Sequence, residues 1–403
     1  MSLPTDFHDD IASRVEQPGY SEVLARAARL RRRRRRTRIA AGLAAACVVG
    51  GLAAWGSDWR IQAIPDPAST PNQTRSPLSG EVDGRLPPEV RDLLGGERVD
   101  PWSVAGSGAG AAVLWGACPS DEGCRFALVT RLGDRLEGTM LTSDRATLSA
   151  IPGGWLLEDG SSTFRVRADG EREPLVDVGG KASWPRAGDT AVETSRGWRL
   201  LRGNDLLPLP TPPDTAVTDA TVTGAFVTPR GDLLVATSEP AGGVHLAQTE
   251  GSGRWRADLL PGATDRTASA VLAGNGDQVA VAVLGDAPDG SIPILGVWIS
   301  HDAGASWTSG RGIGLGTTNP PADMSSLAVS DEGSAYPATG SHGLIRVGAG
   351  RGAVAAPKTL PARSVFGVSS GICFVSETGP VDGLRCSADH GKTWSTSSLP
   401  GFR

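Results

Sequence analysis

From about residue 97 onward, the chain is a series of short apolar segments separated by groups of Gly, Pro and Asp. The segments are shorter than ordinary helices and are bounded by turn residues, which favours β-strands. The most apolar of them recur at intervals of about 35 to 56 residues, and about 43 on average. They begin at Ala111, Gly154, Asp189, Gly231, Gln278, Ser334 and Gly371.

This interval is typical of a four-stranded sheet that is repeated radially around an axis, with each sheet packed against the next. We therefore predict an all-β fold, in which residues 97–403 form a seven-bladed β-propeller. The segments at Asp189 and Ser334 are the weakest in strand character, so six or eight blades remain as alternatives.

The first part of the chain has a different pattern. Residues 1–38 contain ten Arg, six of them consecutive, and five acidic residues, and an uncharged run over 39–55 follows directly. This arrangement predicts a transmembrane helix over 39–56 in contact with membrane lipid, preceded by a cytoplasmic basic segment. Residues 57–96 are rich in Pro, Ser and Thr and are predicted to be a tether for an extracytoplasmic domain.

Two other export signals compete with this anchor. A cleaved signal peptide would need an unusually long charged region before its apolar core, and Gly56-Ser57 is a poor cleavage context. A lipoprotein signal would end at Cys47, but Leu43 is displaced from the usual position, and apolar sequence continues to Trp55. We prefer the uncleaved anchor.

Four of the five cysteines form two close pairs, Cys118 with Cys124 and Cys373 with Cys386. Each pair brackets a turn-like segment, so we predict two disulfides across hairpins, as is usual in an oxidising compartment. A metal site is the competing interpretation. The chain has no C-x₂-C motif and only five His, so we predict no metal and no cofactor.

One octapeptide occurs twice, as residues 300–307 and 387–394, with the pattern S-x-D-x-G-x-[ST]-W. The Asp can accept hydrogen bonds from the amides of a tight turn, the Gly permits a positive φ, and the Trp can be buried between sheets. A third copy, over 248–255, is degenerate. The matching residues are Ser300, Asp302, Gly304, Trp307, Ser387, Asp389, Gly391 and Trp394.

The octapeptide resembles the Asp-box, or BNR repeat, of sialidase-like β-propellers. This resemblance implies that the matching residues are structural and lie away from any active site. Catalytic members of that family carry an Arg triad, an Asp acid/base, a Tyr nucleophile paired with Glu, and an F/Y-R-I-P segment. The present chain lacks that segment, and Tyr336 is the one candidate nucleophile after the predicted span. We therefore predict no catalytic residues, and a degenerate sialidase-type glycoside hydrolase is the alternative.

Charge and composition limit the classes of partner that we expect for this chain. Residues 39–403 have a net charge of −10, against +5 for residues 1–38. The Arg run adjoins the predicted span and is not interleaved with aromatics, so we expect no nucleic acid partner. Arg greatly outnumbers Lys, which occurs three times, and Ala and Gly are abundant, as is typical of a high-GC bacterium.

The sequence favours a membrane-anchored extracytoplasmic propeller that binds a protein, peptide or cell-wall glycan at one face without catalysis. A membrane-linked regulator is another alternative, because residues 1–55 loosely resemble actinobacterial proteins encoded beside extracytoplasmic-function sigma factors. Its cytoplasmic segment would contact the sigma factor or another partner. The sequence sets no oligomeric state. Most tryptophans outside the octapeptides are predicted to pack between sheets, with one or two lining a binding face: Trp102, Trp115, Trp155, Trp184, Trp198 and Trp298.

Overall fold

The computed structural model describes residues 82–402 with several gaps. The predicted basic segment 1–38, the predicted span 39–56 and most of the tether lie outside the described residues. Within the described part, no helix is long and apolar enough to cross a membrane. The gaps fall at 97–98, 108–109, 119–122, 168, 213–220, 239–242, 252, 258–259, 261–266, 286–293, 310–323, 340–342, 349–353, 356–361, 369–370 and 377–382.

Seven four-stranded sheets make up the described domain, which confirms the all-β class and the seven-bladed propeller. In every blade except the third, the four strands follow chain order and are antiparallel. Blade 1 contains β1 (Val99–Ser107), β2 (Gly110–Ala117), β3 (Arg125–Leu132) and β4 (Arg135–Met140). Blade 2 contains β5 (Ala146–Ile151), β6 (Gly154–Asp159), β7 (Ser162–Arg167) and β8 (Arg172–Pro174). Blade 3 contains β9 (Val176–Asp177), β10 (Thr190–Thr194), β11 (Gly197–Arg202) and β12 (Asp205–Pro208).

The remaining four blades account for the rest of the chain. Blade 4 contains β13 (Thr221–Val227), β14 (Leu233–Ser238), β15 (Val244–Glu250) and β16 (Arg254–Arg256). Blade 5 contains β17 (Thr267–Asn275), β18 (Gln278–Gly285), β19 (Ile294–Ser300) and β20 (Thr308–Ser309). Blade 6 contains β21 (Met324–Val329), β22 (Ala335–Thr339), β23 (Gly343–Arg346) and β24 (Val354–Ala355). Blade 7 contains β25 (Ala362–Val368), β26 (Gly371–Ser376), β27 (Gly383–Ser387) and β28 (Ser395–Ser398).

The core is divided among the junctions between neighbouring blades. Each of the seven junctions holds its own cluster of buried apolar side chains. The second strands lie deepest, and every residue of β6, β22 and β26 is buried. A sheet that is covered on both faces needs apolar side chains on both, which explains the continuous apolar runs in the sequence.

The ring closes between blades 7 and 1 through both ends of the described chain. Val82 pairs with Phe402, and the backbone N–H of Asp83 donates to the carbonyl of Gly401 at 3.0 Å. The indole N–H of Trp115, in blade 1, donates to the carbonyl of Pro400 at 2.9 Å.

A short helix, α1 (Pro88–Leu94), covers this closure from the outside. Pro88 suits the first turn of a helix, where its missing N–H has no partner to lose. Val90 is fully buried against the closing cluster. A Cβ built on Gly138 of β4 would lie 2.7 Å from Leu86, so this glycine permits the close approach of the helical segment. Residues 82–96 therefore pack against the propeller.

Blade 3 departs from the common pattern. Its outer strand β9 precedes the other three in sequence, and it is parallel to its neighbour β12. Only Leu175 separates β9 from β8, the outer strand of blade 2. Because β9 continues in the direction of β8, β12 also runs in that direction.

Two further contacts fix the direction of blade 3. The turn between its strands β10 and β11 contains Ser195, whose N–H donates to the carboxylate of Glu158 at the far end of β6. The residues just before β10 lie beside the turn between β13 and β14 of blade 4. Gly231 belongs to that turn, and a Cβ built on it would lie 2.5 Å from the backbone N of Ala187. The strands of blade 3 therefore run opposite to their counterparts in blades 2 and 4.

The other six blades define two faces. Their first strands begin at what we call the mouth face, where the connection between Cys118 and Cys124 also lies. The opposite side, which we call the box face, holds the turns between first and second strands and between third and fourth strands. Both octapeptide turns, 301–307 and 388–394, lie at the box face.

Candidate binding site at the mouth face

The first strands of neighbouring blades contact one another along most of the ring. Five of them carry a β-bulge close to the mouth face, where one extra residue interrupts pairing with the second strand. Bulges are frequent beside functional sites, because they change the direction of a side chain. The extra residues are Trp102, Thr223, Ala268, Ser325 and Arg363.

Hydroxyl groups at or next to the bulges join neighbouring blades. Ser103 Oγ donates to the carbonyl of Leu148 in blade 2 at 3.0 Å. Ser326 Oγ in blade 6 accepts from the N–H of Val365 in blade 7 at 2.7 Å. These bonds give partners to backbone groups on the edges of the neighbouring first strands, so they tie adjacent blades together at the rim.

Trp102 is the exposed aromatic side chain of this rim, with 50% of its surface open to solvent. Its ring meets the edge of Phe126, with centroids 5.5 Å apart and planes inclined by 72°. Phe126 itself is buried and lies close to Gly116, where a built Cβ would be 2.9 Å from the Phe126 ring. The indole therefore stands on a packed support.

The connection next to this aromatic pair is closed by the Cys118–Cys124 disulfide, as predicted. A Cβ built on Gly123 would lie 3.6 Å from the Cβ of Asp144, in the connection that leads from blade 1 to blade 2. The carboxylate of Asp159 fixes that second connection by accepting from the N–H of Ser143 at 2.9 Å. The region around Trp102 is thus held by a covalent bond and by side-chain caps.

The second predicted disulfide, Cys373–Cys386, joins β26 to β27 in blade 7. The two residues are direct partners in the antiparallel ladder, and Cys373 is buried in the closing cluster. Two disulfides in one domain are typical of a protein that folds in an oxidising compartment.

The first octapeptide forms a hydrogen-bonded turn between β19 and β20. Ser300 Oγ donates to Asp302 Oδ1 and accepts from the N–H of Gly304, both at 2.8 Å. The Asp302 carboxylate accepts from the N–H and the hydroxyl of Ser306 at 2.8 and 2.6 Å. Partial burial raises the pKa of Asp302, but these hydrogen bonds outweigh it, so the pKa lies below its ordinary value.

The second octapeptide repeats this geometry between β27 and β28. Ser387 Oγ donates to Asp389 Oδ1 at 2.8 Å and accepts from the N–H of Gly391 at 2.7 Å. Asp389 accepts from the N–H and the hydroxyl of Thr393 at 2.8 and 2.6 Å. Burial raises the pKa of Asp389, and the hydrogen bonds more than reverse this and lower it to about 2. Trp394 then packs edge-on against Phe374, with centroids 5.0 Å apart.

Each octapeptide turn is also tied to the preceding blade. Ala303 and His390 occupy the same position of the two turns, and they are the two non-glycine residues with positive φ, 59° and 58°, in the described part of the chain. The carbonyl of Ala303 accepts from Gln248 Nε2 at 2.9 Å. The carbonyl of His390 accepts from the hydroxyl of Tyr336 at 3.0 Å.

Tyr336, the candidate nucleophile of a sialidase-type site, is placed by this last contact. Its side chain is buried, with 0% exposure, in the cluster between blades 6 and 7. Burial raises the pKa of Tyr336 to about 12, so the hydroxyl keeps its proton near neutral pH. In this position the hydroxyl joins two blades and is not open to solvent.

A pair of carboxyl groups lies between blades 2 and 3. Glu158 is 7% exposed and accepts from Ser195 and from the hydroxyl of Thr147 at 2.9 Å. Burial, and then the neighbouring Glu158, raise the pKa of Glu193 to about 8. Within the described residues, Glu193 Oε2 has no hydrogen-bond partner. A carboxyl group with a raised pKa beside a second carboxyl group can perform acid/base chemistry, but Glu158 is occupied by structural hydrogen bonds.

The sequence suggests the octapeptides and the cysteines but not the importance of the bulges. The signal that marks them is a small residue directly after the bulge, as in Ser103, Gly224, Ser269, Ser326 and Ser364. Of the tryptophans predicted mostly to pack, Trp115, Trp155, Trp198 and Trp298 are buried, whereas Trp102 and Trp184 are exposed. Among the described residues, no three His, Cys, Asp or Glu side chains are placed to hold a metal.

Comparisons with known proteins show no family. No family model matches the chain, and no curated protein matches it. Solved structures that are similar include the acylaminoacyl peptidase of Pyrococcus horikoshii, with a TM-score of 0.44 and 8% identity over 72% of this chain. A prolyl endopeptidase has a TM-score of 0.42 and 16% identity over 77% of this chain. The chain spans 51% of the length of each of these proteins.

A lectin, that of Aleuria aurantia in complex with α-methyl-L-fucoside, has a TM-score of 0.31 and 15% identity over 73% of this chain. At these values the similarities concern the fold alone. The functional proposal below therefore depends on the residues of this chain.

Proposed function

We propose that the chain is an exported, membrane-anchored β-propeller that binds a partner without catalysis through the mouth face around Trp102. The observation that carries this proposal is a half-exposed indole on a rigid support, at the rim where the first strands meet. An aromatic ring that is already held in place at an exposed rim loses little conformational freedom when a ligand covers it, which favours its use in recognition. Trp is also enriched among the residues that dominate binding energy.

The localisation of the protein is part of the same proposal. The two disulfides favour an oxidising compartment, and the Arg cluster followed by the uncharged run 39–55 supports an anchor with a cytoplasmic N-terminus. Protease added to intact cells should then remove the propeller, whereas residues 1–38 should survive until the membrane is opened. A soluble protein that begins near Gly56 would show that the anchor is cleaved.

Binding can be tested with the full chain in detergent and a set of defined probes. The set contains a cationic, an acidic and a neutral peptide, and a tetramer of N-acetylglucosamine to represent cell-wall glycan. We expect at least one probe to bind, with Trp102→Ala weakening it about tenfold or more, since a buried aromatic contact is worth roughly 1–3 kcal/mol.

Trp184→Ala is the matched control, because Trp184 is also exposed, at 37%, but belongs to the segment before β10. It should change the dissociation constant less than twofold. Equal effects of the two variants on every probe, or binding that neither affects, would remove the mouth face as the site.

A further inference from the structure

We infer that the outer edge of blade 3 contacts an anionic lipid surface, so that the propeller touches its own membrane there. This inference rests on the membrane anchor of the proposed function and adds a second interaction surface, in a different blade from Trp102. We call this surface the crossover patch, because it follows the chain that leads from β9 to β10. Its residues are Val176, Val178, Lys181, Trp184 and Arg186.

Exposed apolar side chains are concentrated in the crossover patch. Within the described residues, six large apolar side chains are exposed, and three of them lie in residues 176–184. Val176 is the most exposed of the six, at 57%, whereas Val178 is 36% and Trp184 is 37% exposed. Scattered apolar residues on a protein surface are ordinary, but a group of them edged by polar residues marks contact with a membrane or another protein.

The backbone of the patch is bonded to blade 3. The N–H of Val178 donates to the carbonyl of Leu206 in β12 at 2.9 Å. The carbonyl of Trp184 accepts from the guanidinium of Arg202 at 2.8 Å, and the Trp184 ring lies 6.1 Å from the ring of Trp255. The exposed side chains therefore belong to an ordered edge, and a surface that covers them loses little free energy in fixing their positions.

Unpaired cations accompany the apolar side chains. The segment 178–188 contains Lys181 and Arg186, both exposed, and no acidic residue. The acids at its two ends, Asp177 and Asp189, already pair with neighbouring arginines at 2.7 and 2.6 Å. Among the described residues, no carboxylate forms an ion pair with Lys181 or Arg186.

The balance of charge in blade 3 has the same sign. Residues 176–208 are all described and contain five basic and four acidic residues, which gives +1, although residues 39–403 together have a net charge of −10. The fourth acid of the blade, Asp205, is exposed as the ladder partner of Val176, and this count includes it. The crossover patch is thus a basic and apolar edge on an acidic domain.

An anionic bilayer surface is complementary to both features. Trp is favoured at the level of the lipid headgroups. Each Lys or Arg near an anionic leaflet strengthens the contact about fivefold. An apolar protein surface would cover the valines and the indole, but it would offer nothing to the two cations. The patch also lies on the outermost strand of the blade and on the segment that follows it, so a flat surface can reach it.

The predicted anchor keeps the propeller close to such a surface. The first described residue is Val82, and the 25 residues 57–81 separate it from the predicted span 39–56. Even a fully extended chain of this length reaches no more than about 90 Å. Because the anchor holds the local concentration of lipid high, a few weak contacts are enough to occupy the patch.

The test uses the amines of the full chain, which has three lysines. Lys181 reports on the crossover patch, and Lys392, exposed in the second octapeptide turn of blade 7, is the reference in the same molecule. The chain is placed in vesicles of phosphatidylcholine, or of phosphatidylcholine mixed with phosphatidylglycerol, and treated with an amine-acylating reagent that does not cross membranes. Mass spectrometry measures the ratio of acylation at Lys181 to that at Lys392.

We expect phosphatidylglycerol to lower this ratio about fivefold or more relative to the chain in detergent. Phosphatidylcholine alone should lower it less than twofold, because it lacks the net negative charge. High salt should restore part of the reactivity in the mixed vesicles, since it screens the attraction between the cations and the headgroups.

Variants test the two parts of the patch separately. The double variant Val178→Ser with Trp184→Ala should bring the ratio in mixed vesicles to within twofold of its value in detergent. Trp102→Ala, which removes an exposed indole from blade 1, is the matched control and should keep the protection.

The charged part has its own pair of variants. Arg186→Gln removes an unpaired cation and should halve the protection or reduce it further, whereas Arg125→Gln, an exposed cation of blade 1, should not change it. Melting curves show which variants remain folded. If the double variant unfolds, Arg186→Gln still decides the result, because its side chain has no ion pair to lose.

Failure of this inference is distinguishable from failure of the proposed function. If the chain stays with the mixed vesicles after an alkaline wash but Lys181 reacts as it does in detergent, the patch does not contact lipid. Protection that is already present in detergent and grows with protein concentration would assign the patch to a second copy of the chain. A chain that is washed from both kinds of vesicle overturns the anchor and this inference together, and the soluble probes test the mouth face independently.

Discussion

Two blade junctions differ in composition. The junction between blades 7 and 1 is mainly apolar, whereas the junction between blades 2 and 3 has fewer apolar residues and two carboxyl groups. The first is the largest apolar cluster, built from both ends of the domain, with Trp115 and Phe402 in edge contact at 5.0 Å. The second has five buried apolar residues in its cluster, and its neighbouring polar groups include Glu158 and Glu193.

The two junctions differ in what holds them. Blades 7 and 1 are not consecutive in the chain, so their contact depends on noncovalent packing and on the hydrogen bonds between the two ends of the domain. Between blades 2 and 3 the apolar layer is smaller, and a carboxyl group with a raised pKa lies beside it. The junctions should therefore respond differently to truncation and to pH.

The largest effect should come from Trp115→Ala at the closing junction. This change removes a fully buried ring and the hydrogen bond to Pro400, and it should lower the free energy of unfolding by roughly 3–5 kcal/mol. Chemical denaturation of the two proteins measures it. Trp184→Ala, which truncates a ring that is 37% exposed and packs against Trp255, is the control and should cost about 0.5–1.5 kcal/mol. A similar cost for both variants would mean that the termini do not close the ring.

The junction between blades 2 and 3 should make the stability of the protein depend on pH. The pKa of Glu193 is about 8 in the fold, against 4.5 for an ordinary Glu, so the folded state holds a proton that the unfolded state releases. Below about pH 4.5 Glu193 is protonated in both states and does not change the free energy of unfolding. As the pH rises from 4.5 to 8, this free energy falls progressively. Glu193→Gln should therefore stabilise the protein by on the order of 2–3 kcal/mol at pH 8 and much less at pH 5.

Glu250→Gln is the control for this experiment, since Glu250 is exposed and ends β15. Its melting temperature should follow the wild type across the same pH range. If Glu193→Gln and Glu250→Gln have parallel pH profiles, the carboxyl pair does not weaken the junction.

The octapeptide turns sharpen the comparison, because they bring carboxylates to blade junctions with their hydrogen bonds satisfied. Asp389→Ala removes the acceptor for the N–H of Lys392 and the N–H of Thr393, at a cost of about 1–3 kcal/mol. Asp302→Ala should cost a similar amount in blade 5, and both are measured as loss of unfolding free energy. No loss in either variant would mean that these carboxylates do not stabilise the turns.

The smallest effect is expected for Tyr336→Phe. It removes one hydrogen bond to His390 across the junction of blades 6 and 7 and keeps the ring, which should cost about 0.5–1.5 kcal/mol. Binding at the mouth face should not change. A purified protein that cleaves fluorogenic sialosides, and loses this activity in a folded Tyr336→Phe variant, would support the hydrolase alternative instead.

Local signals predicted much of this architecture. Regular apolar segments gave seven blades, and the short separation within each cysteine pair gave both disulfides. Six of the seven segments become the second strands of their blades, whereas the segment at Asp189 becomes β10, an edge strand of blade 3. A strand has the same two-residue alternation in either direction, so the sequence pattern carries no sign of the reversal.

The exposure of Trp102 also could not be predicted from the sequence. Its neighbours in sequence suggest an ordinary buried strand, and the bulge arises from pairing with β2 and contact with blade 2. Residues 82–96 have the composition of a linker, yet Val90 and Leu94 are buried because the closing junction offers them an apolar surface. Contacts between distant parts of the chain decided both outcomes.

The reversed third blade also limits how this gene could have changed. A ring of like-oriented units can gain or lose one unit when a single stretch of DNA is duplicated or deleted. Here, loss of β10 to β12 alone would leave the chain at the box face, whereas β13 must begin at the mouth face. Removal of those strands together with the crossover before them, residues 179–208, would leave the chain at the mouth face, so this segment could be lost as one piece without reversing the next blade.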